Sequence, residues 1–124
     1  MKINTRNKLT GMAMAVTFGL LPALALAHGT LEQATPAANS VVDVTPATLK
    51  LTFNEALESA FSTIKVTDGN GTAVSKEKAK VDPSDPRVLT VPVPKLSSGS
   101  YAVHWTVMTH DGHKTKGDYK FTVK

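Results

Sequence analysis

In Tyr101-Ala102-Val103-His104-Trp105-Thr106-Val107-Met108, large apolar residues return at every second position. A period of two suits an extended strand, whose side chains alternate between two faces. A helix would scatter Tyr101, Val103, Trp105 and Val107 instead of gathering them on one side. The same alternation runs through Thr48–Phe53 and Ser62–Thr67, and it places Tyr119, Phe121 and Val123 together near the chain's end. Asp68-Gly69-Asn70-Gly71 and Ser97-Ser98-Gly99 read as turns. Val88–Val91 starts another strand, which Pro92 and Pro94 either confine to an edge or terminate. Shorter strands are expected over Thr30–Ala34 and within residues 73–81, and residues 54–60 read as a loop or a single helical turn. Short strands at roughly ten-residue spacing predict an all-β fold, a Greek-key β-sandwich of immunoglobulin type with about seven strands.

Residues 1–27 are of a different kind. Lys2, Arg6 and Lys8 precede an apolar stretch over residues 9–21, Pro22 breaks it, and Ala25-Leu26-Ala27 offers small residues for cleavage. This is the pattern of a secretory signal peptide, too short and wrongly flanked for a membrane anchor. It predicts a cleaved leader, residues 1–27, and a mature domain, residues 28–124, with no stable membrane insertion after cleavage. A periplasmic location fits best.

The charge balance changes with that division. Three of the 14 basic residues and none of the 10 acidic ones precede residue 28, leaving 11 against 10. The formal charge of +4 therefore belongs mostly to the leader, and there is no basic run interleaved with aromatics to suggest nucleic acid. The chain has no cysteine. The core must hold the fold without disulfides, and thiolate metal sites and cysteine nucleophiles are excluded.

The four histidines, His28, His104, His110 and His113, carry the chemistry. Cleavage after Ala27 would make His28 the first residue. Its α-amine and Nδ1 could then close a six-membered ring on one ion, and an α-amine loses its proton far more easily than a lysine. His110-Asp111-Gly112-His113 lies in the turn between the last two strands. Asp111 and His113 are two apart, so extended backbone would point them the same way, and Gly112 lets the chain bend around an ion. Two nitrogens from His28, one from His113 and an oxygen from Asp111 form a tetragonal set that suits Cu(II) or Ni(II) better than tetrahedral zinc. His110 should face away from that pair and would join as an extra ligand only if the loop curls. His104 belongs to the face opposite Trp105, as a surface residue. Glu55, at the end of the Leu49–Phe53 strand, is placed to orient a histidine ring from behind the ligands. Trp105 reads as core.

These residues carry a resemblance. His28, Phe53-Asn54-Glu55, Gly99-x-Tyr101-x-Val103-x-Trp105 and Asp111-Gly112-His113 with Gly117 and Phe121 resemble the CopC/PcoC family, its YobA-like members in particular. The resemblance spans essentially all of residues 28–124. It implies a cupredoxin-like or immunoglobulin-like sandwich that binds one Cu(II) per chain through His28, Asp111 and His113. It also implies a role as carrier or buffer in copper homeostasis and resistance, with a CopD-like inner-membrane copper transporter as a further partner. Some members add a Cu(I) site in a methionine-rich loop. Here Met108 is the only methionine after residue 27, and one thioether does not make a soft Cu(I) cage.

Two other functions fit the same residues. A terminal-histidine copper site with an open position can activate oxygen, although 97 residues leave little room for a substrate-binding face. A metal-free interaction domain is the third, since the immunoglobulin fold hosts many functions.

Overall fold

The computed structural model describes residues 28–124. The expected leader lies outside the described residues. Eight strands form two four-stranded sheets: β1 (Leu31–Thr35), β2 (Val41–Val42), β3 (Thr48–Phe53), β4 (Thr63–Thr67), β5 (Lys80–Asp82), β6 (Asp85–Pro92), β7 (Gly99–Met108) and β8 (Lys114–Val123). One sheet has the order β1-β3-β6-β5 and the other β2-β8-β7-β4. The pairings are antiparallel except β2 against β8, which is parallel. This is the β-sandwich that the alternation predicts, with eight strands in place of about seven because the two-residue β2 adds one that no alternation marks. One 3₁₀ turn, Ser59–Phe61, falls at the end of the segment read as loop or helical turn.

The alternating residues face where their period puts them. Val103 and Val107 of β7 are fully buried, with Tyr101 and Trp105 nearly so; Tyr119, Phe121 and Val123 meet them from β8. Leu49, Leu51 and Phe53 close the core from the other sheet. The Tyr101 hydroxyl donates to the carbonyl of Ser97 at 2.7 Å, which ties β7 to the turn before it. Such a bond lets a large aromatic ring be buried without stranding its polar tip.

β6 departs from expectation in two ways. It starts at Asp85, before Val88, because Asp85 pairs with Asp82 in a tight hairpin. It lies between β3 and β5, not at an edge. Pro92 is its last residue, so of the two roles open to the prolines it is termination that holds.

β7 and β8 pair over ten residues each, from Gly99 opposite Val123 to Met108 opposite Lys114. Trp105 lies opposite Gly117 in this register. Its ring meets Phe53 edge-on at 5.0 Å and lies across the glycine. A Cβ on Gly117 would come 2.4 Å from Trp105 Cζ2 and 2.7 Å from Cε2. Because interiors are packed without slack, G117A should cost about 1–3 kcal/mol and lower the denaturation midpoint. G69A, whose added Cβ meets nothing nearer than 3.9 Å, should stay within about 0.5 kcal/mol of the parent. Equal midpoints for the two variants would show that the indole is free to move.

Candidate metal centre

Three separated segments meet at one end of the sandwich. His28 precedes β1, residues 54–58 follow β3, and residues 109–113 join β7 to β8. Two sets of hydrogen bonds bring them together. The Thr30 N–H donates to Asn54 Oδ1 at 2.8 Å, and the Asn54 N–H returns a bond to the Thr30 carbonyl at 3.0 Å. On the other side the Glu58 N–H donates to the Met108 carbonyl and the His110 N–H to the Ala56 carbonyl. Buried Leu57 bridges to Thr109 between them.

The 109–113 segment is a tight hairpin turn. Thr109 N–H donates to the His113 carbonyl at 2.9 Å, and Gly112 N–H donates to the Thr109 carbonyl at the same distance. Gly112 has φ +87°, the left-handed conformation that such three-residue loops need at this position. Asp111 and His113 therefore share a side because of the turn and not through extended backbone, as their spacing alone suggested. Asp111 Oδ1 lies 3.0 Å from His113 Nδ1. With that nitrogen turned to the carboxylate, His113 Nε2 remains as the free donor.

His28 completes the group. One donor atom from each of His28, Asp111 and His113 can be chosen so that all lie within 4.8 Å of one another. Donors on one small ion sit about 2 Å from it, and so at most about 4 Å apart. The three side chains could hold one ion after adjustment, and a set of nitrogens with a single carboxylate is of the kind that takes Cu(II) or Ni(II). One adjustment is specific. The rings of His28 and His113 are stacked, 4.3 Å between centroids and 7° from parallel. Imidazole lone pairs lie in the ring plane, so at least one ring must turn for both to face a common ion.

Glu55 reaches this group from the end of β3, its Oε1 2.7 Å from His28 Nδ1. It engages the very nitrogen expected to chelate, and not the far side of the ring. The Glu55 hydrogen bond, then its charge, raises the His28 pKa above the ordinary 6.5, with a smaller contribution from Asp111. Asp111 is held well below the usual carboxylate range, first by the hydrogen bond from the Thr109 hydroxyl and next by that from His113. It stays ionised through the physiological range, as a ligand must.

The other two histidines lie apart from the group. His110 points to Glu58, with Nε2 3.7 Å from Oε1. His104 is exposed on the outer face of β7; its Nδ1 lies 2.5 Å from Asp118 and its Nε2 3.2 Å from the Thr67 hydroxyl. Asn54, Thr109 and Thr115 hold the segments in place; the sequence names Asn54 only as part of the family motif, without a role, and Thr109 and Thr115 not at all. For Thr109 a signal existed, a threonine two residues before an aspartate in a turn.

This geometry can be set beside known proteins. A CopC domain model matches residues 31–124. Protein YobA of Escherichia coli K12 is 36% identical over 122 residues, 98% of each chain. Copper transport protein CutJ of Bacillus subtilis is 31% identical over 104 residues, which make up 83% of this chain but 19% of CutJ. The crystal structure of CopC from Methylosinus trichosporium OB3b superposes with a TM-score of 0.74 at 40% identity, over 78% of this chain and 94% of that one. The chain is a β-sandwich that belongs to the CopC family.

The Glu55 contact makes a prediction about the metal-free protein. A histidine whose pKa is raised on folding gains stability below its unfolded value and loses it as pH rises through the folded one. NMR titration should place the His28 midpoint above that of an unpaired histidine, and E55Q should bring it down. An unchanged midpoint in E55Q would mean the contact does not persist in solution.

Proposed function

We propose that this protein is a periplasmic copper(II) carrier or buffer that binds one ion per chain through His28, Asp111 and His113. The observation that carries this reading is the meeting of those three side chains at one end of the sandwich in a member of the CopC family. Removal of residues 1–27 would free the α-amine of His28 and supply the fourth donor. The ion would then have two nitrogens from one residue, which need no fold to bring them together, and two further donors on a turn fixed by hydrogen bonds. In the metal-free state Nδ1–H of His28 donates to Glu55. Copper takes the place of that proton, so affinity falls as pH drops.

The reading is of a binding protein and not an enzyme. Asp111 would fill an equatorial position that oxygen activation leaves open. The donors are about half exposed, which suits hand-over to another protein. A matching domain within a much longer copper transport protein supports hand-over of copper to a transporter, and a CopD-like inner-membrane transporter is the partner we propose.

A competitive Cu(II) titration with EPR tests this on protein that begins at His28 and on the same protein with one alanine added before it. The first should bind one equivalent with a nitrogen-rich tetragonal spectrum, and the second at least about tenfold more weakly, a difference of about 1.4 kcal/mol. Equal binding would move the site to the surroundings of His110 and His113. No binding by either would leave the metal-free interaction domain as the function.

A further inference from the structure

We propose that Thr109 and Thr115 are positioning residues for the copper site: the Thr109 hydroxyl fixes the two ligands on the turn, and the Thr115 hydroxyl fixes the N-terminal one. This rests on the assignment of His28, Asp111 and His113 as ligands.

Thr109 is fully buried at the last position before the turn. Its hydroxyl donates to Asp111 Oδ1 and accepts from the backbone N–H of His113 at 3.3 Å. A buried hydroxyl without partners is costly, so this one keeps both. Asp111 Oδ1 also faces His113 Nδ1 at 3.0 Å, and is thereby engaged twice. Oδ2 is the oxygen that faces His28 Nδ1, at 3.4 Å. The threonine thus selects which carboxylate oxygen is free for an ion and favours one-oxygen coordination over a chelating carboxylate.

Thr115 acts on the other half. Its hydroxyl donates to the carbonyl of Gly29 at 2.8 Å, across 86 residues of sequence. Chain ends are mobile unless tied down, and this bond secures the residue next to His28. Gly29 has φ +67°, and a Cβ there would come 2.7 Å from Thr115 Oγ1 and 3.3 Å from the Thr109 methyl. Both threonines therefore close on the same glycine, a close approach that a side chain would block.

The test uses T109V, T109S, T115V and T115S in protein that begins at His28, with D111A and H113A as controls. It reads Cu(II) affinity by competition, the EPR spectrum, and the melting of the metal-free form. Valine keeps the shape and removes the hydroxyl; serine keeps the hydroxyl. T109V should bind about tenfold more weakly with a shifted spectrum, the scale expected for a lost hydrogen bond to a charged group. T115V should weaken binding and move the spectrum toward that of the alanine-extended protein. Each serine variant should restore both readouts. Valine variants with the parent's affinity and spectrum, or serine variants that fail to rescue, overturn the proposal. If T109V does not melt cooperatively, T115V decides alone, since Thr115 is only partly buried. Loss of copper in D111A and H113A with no effect in the valine variants would reject the positioning role only. Retention in D111A and H113A would reject the ligand assignment beneath it.

Discussion

The pairing of β7 with β8 supports most of what this molecule does. Ten consecutive residues of each strand are in register. Their inner faces contribute Tyr101, Val103, Trp105 and Val107 on one side and Tyr119, Phe121 and Val123 on the other. The side-chain period of a strand is two, so a slip of one residue between the two strands would turn one of the two sets to solvent. The same slip would rebuild the turn at Thr109–His113 and separate Asp111 from His113. Core packing and ligand placement are therefore set by one ladder, and the buried Trp105 lying over Gly117 resists its displacement.

Much of this was legible from local pattern. Thr48–Phe53 is a strand over the predicted residues, and the buried faces of β7 and β8 are those the alternation named. Residue 85 was missed as the start of β6 because Asp85-Pro86 reads as a turn, yet it sits where a two-residue hairpin meets β5. The two residues of β2 had no readable signal. Their parallel pairing with Thr122 and Val123 depends on a strand 81 positions away. At the candidate centre, His28, Asp111 and His113 could be named from residue chemistry. Of their neighbours Glu55 could be placed at a histidine ring, but the long-range supports could not be read. Asn54 acts across 24 residues and Thr115 across 86, and only the assembled topology brings those segments into contact.

Glu55 shows how far a correct location can be from a complete role. Its position after β3 pointed to a histidine ring, and it is at one. But it occupies the Nδ1 edge of His28, where it supports a proton on the nitrogen proposed to bind copper. The metal-free arrangement is thus a closed set of contacts: carboxylate to imidazole, imidazole stacked on imidazole, imidazole to carboxylate. On the proposed ligand set, an incoming ion would not enter a bare cleft but would replace partners that the side chains already have.

None of the proposed donors belongs to the core. His28, Asp111 and His113 are exposed, while the sandwich is filled by aliphatic and aromatic residues from both sheets. Small zinc modules collapse when their metal is taken away, because the ion is their core. Here the core is built from residues outside the candidate centre. Such a core does not need an ion to fill it, so on the proposed function the loss of an ion would leave the packing of the sandwich in place.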